Sequence, residues 1–177
     1  MLRANIPYRI YGGQRFYERL EIKNALSYLR LCLNRNDDQS FERVVNTPTR
    51  GIGNRTLDEV RTVSREQGVS MWQASLKLVD EKTMSARATN ALYAFVQLIT
   101  QLEQAVQGME LEEQAEQAIN LTGLVEFHRA EKGEKGQARV DNLQELVSAC
   151  KAYEADDPDA EVLPQFLAQA TLEAGDQ

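Results

Sequence analysis

The residues whose types and spacing converge on one chemical task are the ten from Thr47 to Thr56, Thr-Pro-Thr-Arg-Gly-Ile-Gly-Asn-Arg-Thr. Two glycines, one residue apart, let the chain turn with positive φ and bring its amides close to a ligand. Ile52 between them can point inward and pin the turn. Asn54 can cap a helix that begins there, and the first-turn N–H groups and positive dipole end of that helix face the same ligand. Arg50, Arg55 and Thr56 complete the set with two cations and a hydroxyl. The chemistry is capture of an anion, and the anion that suits it is a DNA phosphate held without reading base edges, hence without sequence preference. Glycine-rich joints between helices are also often only joints, and these ten residues alone leave both readings open.

Other reactive side chains are few and scattered. Lys23 and Arg30 lie seven apart, two turns along one side of a helical segment, where they can reach one phosphate strand together or simply extend over the edge of the core. Asp37 and Asp38 follow a polar break, and either can cap the short helix that carries Phe41; no further carboxylate or histidine lies at metal-ligand spacing. Trp72 can stack on a base or belong to a core. His128 has no nucleophile or acid arranged around it in sequence and is expected to be structural. Cys32 and Cys150 with a single histidine cannot make a four-ligand zinc site, so they are expected to be reduced, buried thiols.

The elements that position these groups read as helices. The chain has 177 residues and 42% hydrophobic content, enough for one core. No apolar run approaches the ~20 residues of a membrane span and no secretory leader is visible, so a cytoplasmic location is expected. The net charge of −7 is unevenly spread: residues 1–67 hold 12 Lys+Arg against 8 Asp+Glu (+4), and the remainder 8 against 19 (−11). Either the basic third is an anion-binding face on an acidic body, or the asymmetry is chance.

In chain order, Asn5 to Gly13 reads as an extended piece with Tyr8, Ile10 and Tyr11 as strand formers. A lone strand needs a sheet, and no second convincing strand exists, so this segment is expected to belong to a neighbouring domain. From Glu21, Ile22, Ala25, Leu26, Leu29 and Leu33 recur with helical rhythm. Past the glycines, Leu57 to Gln67 is helical and stops at Gly68. Ser70 to Gln73 matches a capping box, with Met71, Trp72 and Leu76 facing inward. Ser85 to Gln107 is the longest periodic segment and the expected spine. Leu111 to Leu121 and Leu124 to Arg129 are helices joined at Gly123, and Glu131 to Gly136 reads as a solvated turn. A helix resumes from Ala138 to Glu154, an acidic linker leads on through Pro158, and Pro164 opens a last helix ended by Gly175. The expected fold class is all-α, a multi-helix domain with a helix-hairpin-helix-like element, spanning residues 14–177 after the extended segment 1–13.

The stretches "YRIYGGQRFYERLEIKNALSYLRL", "NDDQSFERVVNTPTRGIGNRTLDEV" and "EKGEKGQARVDNLQELV", with the terminal "LEAGDQ", resemble the UvrD/Rep/PcrA-type superfamily 1 DNA helicases over essentially the whole chain. The resemblance implies that Gly12 to Leu31 corresponds to helicase motif IV, that residues 1–13 are the end of motor subdomain 2A, and that residues 14–177 form the helical accessory subdomain 2B. It further implies that Gly51, Ile52, Gly53, Asn54, Arg55 and Thr56 with Arg50, and the helix bearing Lys23 and Arg30, hold duplex DNA at a single-strand/double-strand junction. The implied partners are that DNA, the rest of the helicase motor and repair proteins. ATP and Mg belong to the parent enzyme, since no G-x-x-x-x-G-K-S/T loop occurs here, and this piece is not expected to hydrolyse ATP. Many helix-hairpin-helix units carry proline just before the first glycine; here Arg50 stands there and Pro48 lies two residues earlier. A second implication is an autoinhibitory, protein-docking module that controls the motor by swivelling.

Overall fold

The computed structural model describes residues 14–175, and among them every regular element is a helix. The extended segment expected at Asn5 to Gly13 lies outside the described residues. The helices, in order, are α1 (Gln14–Glu18), α2 (Leu20–Leu33), α3 (Asp38–Val44), α4 (Asn54–Gln67), α5 (Met71–Glu81), α6 (Ala86–Ala105), α7 (Leu111–Asn120), α8 (Leu124–Arg129), α9 (Glu134–Ala152) and α10 (Val162–Glu173). Within the expected helical stretch the residues gather into two compact units. Ser27–Gln107 form one; the described residues before Ser27 and those from Gly108 onward form the other.

In the unit Ser27–Gln107, local chemistry sets each helix start. Asp37 caps α3, its carboxylate accepting from Ser40 N at 3.1 Å and from Ser40 Oγ at 2.8 Å. Asp38 looks elsewhere and accepts the backbone N–H of Met71, 2.8 Å away, at the start of α5. The two neighbouring carboxylates therefore satisfy orphan amides of two different helices. Ser70 accepts from Gln73 N at 3.1 Å, and Ser85 caps α6 through Ala88 N at 3.1 Å. Gly68 closes α4 at φ +65°, a left-handed position glycine occupies without steric cost.

Packing is helix on helix, with α5 against α3, α4 and α6. Phe41 meets Phe95 edge-on at 5.4 Å between ring centroids, and both are fully buried. Trp72 belongs to this core, with the Arg35 guanidinium 5.2 Å over its ring, so it is not presented for base stacking. Two side chains expected on the inner faces, Leu33 and Leu76, are exposed at 45% and 38%. Leu33 closes α2, where no further turn remains to cover it.

In the other unit, α9 packs on α7 and α8, and α10 packs on α1. Tyr17 and Tyr153 both approach Phe166 edge-on, at 6.2 and 5.3 Å. The segment Glu131 to Gly136, expected to be a solvated turn, is tighter than that. Helix α9 begins at Glu134, four residues before the expected Ala138, and Gly136 is buried. A Cβ at Gly136 would lie 2.5 Å from His128 O and 2.7 Å from Glu131 O, so only glycine lets the first turn of α9 approach the end of α8. His128 does have an acid beside it: Glu131 Oε1 stands 2.7 Å from Nδ1, and Glu131 Oε2 accepts from Arg139 at 2.6 Å. The ring is buried and the carboxylate can only accept, which puts the proton on Nδ1.

Candidate nucleic-acid interface

Helix α3 ends at Val44, and the next nine residues turn the chain into α4. Ile52, at the middle of the glycine pair, is 1% exposed and joins the core as its position suggests. Gly51 has φ +79° and needs to be glycine on conformational grounds. Gly53 does not: it sits at φ −87°, ψ −178°, extended backbone open to any residue, and it is the residue that precedes α4. The expected cap, Asn54, is instead the first residue of that helix, so α4 starts with no side-chain cap on its first-turn amides. Capping requires the extended backbone that Gly53 adopts, and glycine has no oxygen to offer. A Cβ built on Gly51 or Gly53 would meet nothing within 4 Å. Among the described residues no hydrogen bond is made by the amide N–H of Gly51 or Gly53.

The turn is held from within. Asn46 Oδ1 accepts from Arg50 N at 2.8 Å and from Ile52 N at 3.3 Å, tying down both flanks of Gly51. Arg50, expected among the DNA contacts, faces the other way. Its Nη1 donates to Val44 O at 2.7 Å and Val45 O at 3.0 Å, its Nη2 donates to Tyr28 Oη at 2.7 Å, and its guanidinium lies 5.3 Å over the Phe95 ring. This arginine gives Val45 O its donor and adds to the Thr47 N–H that Val44 O accepts at 3.1 Å, the task a C-terminal cap performs. Tyr28 is wholly buried, and burial raises its pKa against the pull of the Arg50 charge. The Thr47–Pro48 peptide in this turn is cis.

Beyond the turn, Arg61 of α4 makes a two-pronged pair with Glu42 of α3, Nε to Oε2 at 2.8 Å and Nη2 to Oε1 at 2.7 Å, and also reaches Asp58 at 2.9 Å. Its hydrogen bonds hold the Glu42 carboxyl below its ordinary pKa. Arg61 is thereby committed within the protein, as Arg50 is. The cation left at the helix start is Arg55, exposed and with no hydrogen bond or ion pair among the described residues. Thr56 is turned inward at 9% exposure and can offer only its backbone N–H.

Lys23 and Arg30 both lie on α2 and both are half-buried. Arg30 belongs to the unit that carries the turn, Lys23 to the other. Of the expected set, the structure therefore gathers Gly51, Gly53, Asn54 and Arg55 on one exposed helix start, with Ile52, Thr56 and Arg50 inside it. Two residues that organise the site, Asn46 and Tyr28, are not among those the sequence reading singles out. Tyr28 carries a signal nonetheless, a phenol in the middle of the apolar run "ALSYLRL", since a buried tyrosine hydroxyl needs a partner.

No helix among the described residues is long and apolar enough to cross a membrane. Nor do three or more His, Cys, Asp or Glu residues gather there to hold a metal ion. Cys32 and Cys150 are free thiols; burial pushes Cys32 up to about 12 and Cys150 higher still. Cys150 is buried as expected, whereas Cys32 is only half-buried.

Residues 1–177 match the model of the UvrD-like helicase C-terminal domain. The chain is 52% identical over 178 residues to DNA helicase II of Escherichia coli strain K12, covering 99% of this chain and 25% of that protein. It is 49% identical over 179 residues to DNA helicase II of Haemophilus influenzae, covering 100% of this chain and 25% of that one. It is 38% identical over 172 residues to the ATP-dependent DNA helicase PcrA of Bacillus subtilis strain 168, covering 97% and 23%. The chain thus spans about a quarter of the length of these curated relatives.

Proposed function

The chain belongs to the UvrD-like helicase C-terminal domain family, and from that premise we propose that it is subdomain 2B of an ATP-dependent three-prime-to-five-prime DNA helicase, the part that holds duplex DNA ahead of the fork. The observation that carries this reading is the start of α4: an exposed, uncapped helix end, preceded by two glycines whose outer side is open and followed by the exposed Arg55. Uncapped amides and a positive dipole end favour an anion, and the Arg55 guanidinium in the first turn adds a full charge. Both groups address phosphates and neither reaches for a base, which suits a helicase that must grip any sequence. The turn between α3 and α4 is then a helix-hairpin-helix in which Arg50, at the place where many such units have proline, works from inside. No G-x-x-x-x-G-K-S/T phosphate loop occurs in this sequence. ATP and Mg accordingly belong to the motor that this subdomain serves, and mismatch repair, nucleotide excision repair and replication are the pathways proposed for the whole enzyme.

A second reading rests on charge. Residues 68–177 carry a balance of −11, and an acidic body on a DNA-holding subdomain can dock basic partners or swing away from DNA to restrain the motor. A 2B orientation in the whole helicase that stays fixed with and without DNA and partner would remove that reading.

The duplex-holding proposal is tested by fluorescence anisotropy of the chain with a tailed duplex and with single strand, at two salt concentrations. Tailed duplex should bind in preference, with affinity falling by about 0.9 log units per log salt for each phosphate neutralised. Gly53→Val, permitted by the extended backbone, should weaken duplex binding by filling the approach. Arg55→Ala should lower the salt slope by about 0.9. Salt-independent binding, or equal affinity for single strand and duplex that neither variant changes, refutes the proposal.

A further inference from the structure

We propose that Tyr28, a wholly buried side chain on α2, is a positioning residue for the phosphate-facing turn, acting through Arg50 and the Thr47 carbonyl; this rests on the duplex-holding reading of that turn. Its hydroxyl has one proton and two acceptor sites. Arg50 Nη2 occupies an acceptor site from 2.7 Å, and Thr47 O at 2.5 Å, closer than Val44 O at 3.3 Å, takes the proton. One phenol oxygen is therefore bonded both to the residue that opens the turn, Thr47, and to the residue immediately before Gly51, Arg50. Arg50 in turn caps Val44 and Val45, and Asn46 receives the amides on either side of Gly51.

The consequence is directional. With the amides of Arg50 and Ile52 drawn inward to Asn46, those of Gly51 and Gly53, like that of Thr49, are left without a protein acceptor among the described residues, the glycines lying beside the uncapped start of α4. A turn fixed in this state before DNA arrives loses no ordering entropy on binding, whereas a turn that samples other states binds only in proportion to its competent fraction. Tyr28 is 0% exposed and cannot itself meet a phosphate, so any effect of the hydroxyl on duplex affinity has to pass through the turn.

The test is Tyr28→Phe, which keeps the ring and removes only the oxygen, made in the whole chain. The first readout needs no DNA: amide chemical shifts and hydrogen exchange at Arg50 to Asn54. The second is anisotropy with the tailed duplex at two salt concentrations, corrected for folded fraction. The expected result is perturbed shifts and faster exchange at Arg50 and Ile52, with duplex affinity about five- to tenfold lower as the competent fraction drops to between about 0.2 and 0.1. The salt slope should be unchanged, because no phosphate-neutralising cation has been lost. Unaltered amides in the turn overturn the inference whatever the affinity does. Altered amides with wild-type duplex affinity overturn it too, provided Gly53→Val still weakens binding. If neither Tyr28→Phe nor Gly53→Val changes duplex affinity, the duplex-holding reading itself fails and takes the inference with it.

Discussion

Gly136→Ala sets helix propensity against close approach and should come out with the sign that propensity alone would not give. Gly136 is the third residue of α9, and in an ordinary helix alanine there stabilises by about 1 kcal/mol. Here the added methyl would stand 2.5 Å from His128 O, 2.7 Å from Glu131 O and 2.9 Å from Glu131 Cβ. Two of these neighbours are backbone oxygens, which cannot rotate away. The end of α8 and the first turn of α9 must therefore separate. That motion pulls on Glu131, whose carboxylate is shared between His128 Nδ1 at 2.7 Å and Arg139 at 2.6 Å. Overpacking costs roughly 1–3 kcal/mol and loosening charge-assisted hydrogen bonds roughly 1.5–3 kcal/mol, so after the propensity gain the net loss is about 1.5–5 kcal/mol. In a chain of this size that lowers the melting midpoint by about 3–20 °C. Far-UV circular dichroism during heating measures it. Trp72, the single tryptophan, lies in the other unit, so its fluorescence in the folded protein checks that the substitution acts locally. A melting point equal to or above that of the wild type would refute the reasoning, because it would mean that the α8–α9 joint yields at no cost.

Arg50→Met should lose about 1–3 kcal/mol, since it leaves Val45 O without its donor and the Tyr28 hydroxyl one donor short while Val44 O keeps the Thr47 N–H at 3.1 Å, yet it should keep the wild-type salt slope in duplex binding; urea melts and salt titrations separate the two effects. Gly51→Ala should destabilise by about 1 kcal/mol because of its left-handed backbone, whereas Gly53→Ala, whose extended backbone suits alanine but which loses glycine's advantage at an N-cap, should destabilise by less in the same melts. Cys32 has a pKa raised to about 12, so its stabilising contribution is complete below the ordinary thiol value and is lost as pH rises toward 12. Urea midpoints between pH 7 and pH 11 should therefore change differently in Cys32→Ala than in the wild type, with the thiol's contribution absent from the variant's curve. Glu42 and Glu131 are shifted the opposite way, by hydrogen bonds from Arg61 and His128 first, so their contribution is present above the ordinary carboxylate range and disappears as pH falls through the lowered values. Glu42→Gln should flatten the acid limb of the same stability curve.

The helices themselves are legible in the sequence because each obeys a local rule. Apolar spacing marks α2, α6 and α9, Asp37, Ser70 and Ser85 announce helix starts, and Gly68 announces an end. Ile52 is legible as well, since an isoleucine between two glycines has few places to go but inward. Direction at a distance is not. Whether Arg50 points to solvent or to the core depends on Tyr28, 22 residues earlier, and on Phe95, 45 later, and no periodicity links them. The stretch from Glu131 to Gly136 is obscured for a similar reason: its alternating charge looks solvated, and only the neighbouring helix end reveals that Gly136 is a contact point. The His128–Glu131 pair, three residues apart at a helix end, is by contrast an i, i+3 relation that spacing alone does carry. Periodicity predicts a single spine along α6. The chain instead has a second long helix, α9, with its own neighbours in the other unit, and a hydrophobic pattern does not say which helices share a core.

The two glycines of the turn differ in what would preserve them over time. Position 51 penalises other residues through its left-handed backbone, so any descendant that keeps the fold is under pressure to keep glycine there. Position 53 is more open: its dihedrals admit any residue, a Cβ would meet nothing within 4 Å, and a serine or aspartate there could even supply the side-chain cap that α4 lacks. Selection for stability alone would let Gly53 drift first. A lineage in which position 53 has changed while position 51 has not would be one that kept the architecture and gave up the duplex grip proposed for this turn.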